Sequence, residues 1–165
     1  MVDRTLESRI QRLEDLHAIG QLRARYCQLL DDGNWASLAE TFTEDGAFVG
    51  LSTARGRTNL IEFFSGLAAG GLTAWWHFSA NETIDLDGDV ATGMTWLYQP
   101  CVVDGEAQIA AGRYTDQMVR GADGQWRFQE RKVTFFWWVP ATEGWDRSKF
   151  VYEAARAAQD TGHAG

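Results

Sequence analysis

Several kinds of residue are scarce in this chain, and each scarcity removes a class of function. Two cysteines, Cys27 and Cys101, stand far apart in 165 residues. They match no metal-ligand spacing and read as buried thiols of a cytoplasmic protein rather than as a disulfide framework. Basic residues number 15 against 23 acidic ones, a net charge of −8. That balance argues against a nucleic-acid partner, which needs a basic stripe, and gives no help to an anionic-membrane role. No apolar run approaches the roughly 20 residues of a membrane span. The opening MVDRTLESRIQRLED is charged and has no apolar signal core. There is no phosphate-cradling glycine loop, no dinucleotide fingerprint, no metal spacing and no nucleophile elbow. An enzyme built from this chain is therefore expected to use no cofactor and no metal, and to work by proton transfer.

Aromatic residues, by contrast, are plentiful: eight Trp, nine Phe and four Tyr. They exceed what a core of this size needs. They read either as large-residue packing or as the lining of a pocket for an apolar or aromatic small molecule.

The first third of the chain has helical periodicity. Leu6, Ile10 and Leu13, then Leu22, Tyr26, Leu29 and Leu30, predict helix over about 5–31, with Gly20 a possible break. Gly33 is placed to stop it, and Asn34 to cap a short helix WASLAETF. TEDG reads as a turn, AFVGL as a first strand, STARGR as a loop, and Thr58 as the cap of a third helix. From Thr73 the period becomes two. Strands are expected at about 73–86, 89–101, 107–120 and 125–139, broken at DGD, VDGE and ADG. The expected fold is α+β: a cone-shaped barrel in which a curved, mostly antiparallel sheet wraps N-terminal helices around a deep pocket. Residues 1–140 form that domain. Residues 141–165 form a C-terminal arm whose Trp145, Phe150 and Tyr152 can cover the pocket mouth or a neighbouring subunit.

Histidine is scarce too. Of three, His17 falls on a polar helix and His163 in the tail. Only His77 sits in a core strand, in TAWWHFSAN. An imidazole held among rings is suited to proton transfer. Asp31 lies where the first helix should end, and reads either as its acid/base partner or as part of a solvated DDG turn. In a strand, Trp75, His77, Ser79 and Asn81 share one face, which points into the cavity or out to solvent. Tyr114 and Asp116 share another. Arg131 and Lys132 are adjacent, so only one enters the cavity, and Phe135 and Trp137 share the face of Arg131. Trp96 and Tyr98 share a face and are candidates for pocket wall.

The ordered set of segments YCQLLDDGNWASLAETFTEDGAF, GR, WHFSAN, LDGDVA and GRYTDQMVRGADGQWRFQERKV resembles the SnoaL-like branch of the nuclear transport factor 2-like superfamily, over about residues 8–139. The resemblance implies the same conical fold. It points toward the branch's cofactor-free lyases: bile acid dehydratase, hexachlorocyclohexane dehydrochlorinase, scytalone dehydratase and diarylpropane lyases. By position in the motifs, it implies catalytic roles for Asp31, His77, Tyr26 and Arg131. It also implies a homotrimer or homodimer. The superfamily equally contains isomerases, polyketide cyclases and non-catalytic small subunits of oxygenases, so the fold alone leaves function open.

Overall fold

The computed structural model describes residues 5–143. Its element order is α1 (Leu6–Asp31), α2 (Trp35–Glu40), β1 (Phe42–Val49), β2 (Thr53–Arg55), α3 (Arg57–Ala69), β3 (Leu72–Trp75), β4 (Phe78–Asp87), β5 (Val90–Val103), β6 (Glu106–Arg120) and β7 (Trp126–Pro140). The strands lie in the order β2-β1-β7-β6-β5-β3, with β4 also paired to β5. The β1–β7 pair is parallel and the others are antiparallel. The sheet curls into a half-barrel, and the helices occupy its concave side. The fold is the expected α+β class.

The core begins on α1. Ile19, Leu22, Tyr26, Cys27 and Leu30 are buried at the three- and four-residue steps of one helical stripe. Thr5 caps the helix by accepting from Ser8 N at 3.3 Å. Gly20 does not break it. Leu6, Ile10 and Leu13 have the right spacing but are exposed, because the first turns stand clear of the core. Gly33, at φ 68°, ends the segment as expected. Asn34 caps α2 by accepting from Ser37 N at 3.3 Å.

Three local expectations need correction. The TEDG segment lies inside β1, where a register shift between Phe42 and Ala47 absorbs it. Gly46 sits there so close to the Phe128 carbonyl that a Cβ would stand 2.9 Å from it. Part of STARGR forms β2. The third helix starts two residues early, with Gly56 as its cap, so Thr58 is already helical. The last strands run as a meander, but the first is cut in two. The chain leaves strand geometry at residues 76–77, between β3 and β4. The residues proposed for the C-terminal arm, Trp145, Phe150 and Tyr152, lie outside the described residues.

Candidate active site

The interruption at 76–77 is where the functional geometry starts. It sits against the C-terminus of α1, where the last helical carbonyls have no partner within the helix. Trp75 supplies one, donating from Nε1 to the Leu30 carbonyl at 2.9 Å. Asp31, the next residue, binds His77 twice. Its Oδ2 accepts the His77 backbone N–H at 3.0 Å, and its Oδ1 lies 2.5 Å from His77 Nδ1. One carboxylate thus fixes both the chain and the ring. A carboxylate accepts, so Nδ1 carries the proton and Nε2 is the atom left for a ligand. The His77 side chain is 5 % exposed.

His77 lies on the wall of a cavity that opens to solvent. Apart from His77 and Gln99, the wall is apolar or aromatic, including Tyr26, Phe64, Trp75, Tyr114, Phe135 and Trp138. The rings interlock: Tyr26 meets the edges of Phe64, Tyr114 and Phe128 at centroid distances of 6.4, 6.0 and 5.6 Å.

Tyr26 comes from α1, five residues before Asp31. Its hydroxyl is buried and has no hydrogen-bond partner among the described residues. Burial pushes its pKa, and that of Tyr114, well above the ordinary tyrosine value; the nearby Arg131 only partly offsets this. Both phenols are therefore neutral donors at physiological pH.

Arg131 faces inward and its neighbour Lys132 is exposed. Arg131 does not line the cavity, however. It is fully buried behind the tyrosines, with its guanidinium 4.3, 3.8 and 4.5 Å from the ring centroids of Tyr26, Tyr114 and Phe128. Asp116, also fully buried, stands 3.6 Å from its NH1 and 3.0 Å from Nε of Arg23. Arg23 in turn reaches Glu82 at 3.1 Å. Burial opposes the Arg131 charge, but Asp116 and the groups around it outweigh that and hold its pKa above the ordinary value.

Four residues expected on the pocket wall lie elsewhere. Trp96 and Tyr98 are each 43 % exposed, because β5 turns Thr95, Leu97 and Gln99 inward and its even-numbered neighbours outward. Asn81 sits at φ 54° in a register shift between Ala80 and Thr83 and points away, exposed. Trp137 is displaced by a bulge. Gly112 pairs with Phe135 but Ala111 pairs with Trp137, so Phe136 is one residue extra. Past that point inside and outside exchange. Trp138, paired with Ala110, lines the cavity and packs on Phe135 at 4.9 Å.

The SnoaL-like domain family matches residues 11–132. The chain belongs to the SnoaL-like family. Among curated relatives, the uncharacterized protein Rv2910c of Mycobacterium tuberculosis is 28% identical over 139 residues, covering 81% of this chain and 93% of its own. An NTF2-like protein with a cystatin-like fold from Novosphingobium aromaticivorans is 28% identical, with a TM-score of 0.68 and coverage of 95% of this chain and 97% of its own. A scytalone dehydratase-like protein from the same organism is 24% identical with a TM-score of 0.71, covering 78% and 89%. The hexachlorocyclohexane dehydrochlorinase LinA-type3 of Novosphingobium barchaimii is 19% identical with a TM-score of 0.76, covering 82% and 96%. At those identities, the last two establish a shared fold. This SnoaL-like chain thus carries a dyad, an aromatic cavity and a buried cation within one conical domain.

Among the cavity residues that the sequence reading did not single out are Trp138 and Gln99. Trp138 is hidden by the bulge, which no alternation pattern reveals. Gln99 follows directly once Leu97 and Cys101 are taken as the inward residues of β5.

Proposed function

We propose that this SnoaL-like protein is a lyase that needs no cofactor and acts on an apolar or aromatic small molecule by acid/base elimination. The observation that carries this reading is the Asp31–His77 pair on the wall of an aromatic cavity. His77 Nε2 takes a proton from the substrate carbon next to the one bearing the leaving group. The C–H electron pair becomes the new double bond, and water or halide departs with its bonding pair. Asp31 holds the ring and stabilises the imidazolium that forms. Tyr26, neutral and without a partner, donates to the leaving group. Arg131 acts through the tyrosines as a positioning residue. In a diarylpropane diol the same base would deprotonate the CH2OH group; its C–C bond breaks to release formaldehyde, the freed pair forms the double bond, and the second hydroxyl leaves as water with the proton that Tyr26 donates. The dehydratase and dehydrochlorinase names borne by proteins of the same fold support elimination as the reaction class.

The test is mass spectrometry of a panel of aromatic alcohols, diaryl diols, hydroxysteroids and organochlorides incubated with metal-free protein. Loss of water, hydrogen chloride or formaldehyde supports the lyase. A product of unchanged mass would make the protein an isomerase.

The outer face of the sheet supports a proposal about assembly. Phe78 and Tyr98 are neighbours there at 6.4 Å, as are Trp96 and Phe136 at 5.9 Å. A ring patch of this kind fits a homo-oligomer, dimer or trimer. Sedimentation of Trp96→Lys should show dissociation, and an unchanged assembly would refute this face as the contact.

A further inference from the structure

We propose that Gln99 is the residue by which this cavity reads a polar substituent, so that its ligand is a neutral aromatic or alicyclic body carrying a hydroxyl or keto group. The inference rests on the cavity being the ligand site, and adds the kind of ligand it takes.

Gln99 is 3 % exposed, on the inward face of β5 between Leu97 and Cys101, and lines the cavity. Its amide makes no hydrogen bond to any described residue. The amide is not sealed off, so its polar atoms are open to whatever enters the cavity. Of the other polar groups around the cavity, the Tyr26 hydroxyl is the one without a partner among the described residues, and three more have duties within the protein. Trp75 Nε1 donates to the Leu30 carbonyl at 2.9 Å, Trp138 Nε1 donates to Gln108 Oε1 at 2.6 Å, and His77 Nδ1 is held by Asp31.

The chemistry of the amide narrows the ligand. It offers both N–H donors and a carbonyl acceptor, so it pairs with a hydroxyl or a ketone. Among the described residues no lysine or arginine lines the cavity, so an ionised carboxylate or phosphate would find no counter-charge on that wall. The ligand is accordingly neutral. A site built around such a contact rejects the analogue that lacks it far more strongly than an apolar wall rejects a missing methylene.

The test uses Gln99→Leu, with Gln99→Met as a second variant. Calorimetric titration with 1-indanol and with indane gives the preference for the hydroxyl. The thermal midpoint of the ligand-free protein shows whether the amide has a structural role instead. Wild type should favour 1-indanol at least tenfold. Both variants should bind the two ligands within about twofold of each other, with a thermal midpoint at or above that of wild type. Retention of the preference in the variants, a lowered midpoint in both, or failure of wild type to bind 1-indanol would overturn the proposal. These readouts do not depend on turnover. A protein that shows the preference but releases no leaving group would refute the lyase and leave the role of Gln99 standing.

Discussion

The guanidinium of Arg131 stands 3.6 Å from Oδ2 of Asp116, and both side chains are completely buried. Charges are rarely taken this far from water without a reason, because desolvation offsets most of their attraction. Here the cation is also covered by the faces of Tyr26 and Tyr114, the two phenols of the cavity wall. The pair therefore backs the two phenols of the cavity wall from behind.

Removing one member exposes what the arrangement costs. Asp116→Ala leaves Arg131 and Arg23 without their shared carboxylate. The expected loss of stability is about 3–5 kcal/mol, read from urea unfolding. Asp116→Leu combined with Arg131→Met should recover much of that loss, because the buried charge leaves with its partner. If the single variant unfolds at the wild-type midpoint, the pair contributes nothing to the fold.

The tyrosines predict an alkaline limb. Burial raises the pKa of Tyr26 and Tyr114 in the folded protein, whereas an unfolded tyrosine ionises near 10, by the usual reference value of about 10. Above that pH the unfolded chain loses protons that the folded chain keeps. The stability these groups contribute is therefore complete below about pH 10 and falls as pH rises further. Urea midpoints measured from pH 8 to 11 should show the fall, and Tyr26→Phe should blunt it. Equal slopes in the two proteins would mean that Tyr26 ionises normally.

The bulge at Phe136 separates two adjacent tryptophans by function. Trp138→Leu should weaken binding of an aromatic ligand by roughly tenfold, in keeping with the loss of a ring–ring contact of about 0.5–1.5 kcal/mol. Trp137→Leu should leave ligand affinity within about twofold of wild type. Calorimetric titration distinguishes the two, and the reverse result would place Trp137 on the cavity wall.

That pair of residues also marks how far the sequence could be read. The stripe Leu22, Tyr26, Leu30 and the change of period at Thr73 identified the helix, the meander and the conical fold, because burial on one face imposes a periodicity. Asp31 was legible at a helix end and His77 as the one histidine of an expected core strand, whereas the break between β3 and β4 that brings them together was not. Whatever depended on a break in periodicity was not. The bulges at Asn81 and Phe136 moved residues across the sheet, and the register of β5 put Gln99 inside where Trp96 and Tyr98 had been expected. The Arg23–Asp116–Arg131 chain joins residues from α1, β6 and β7, and only the folded sheet brings them together.

The most direct test of the account is the turnover of His77→Ala and Asp31→Asn on whichever panel compound wild type converts, with circular dichroism as a check on the fold. If the 2.5 Å contact between Asp31 and His77 is the catalytic pair, each folded variant should lose about 10²–10⁴-fold in rate, the range expected for a positioned acid/base group. Folded variants that release the leaving group at near wild-type rate would contradict it.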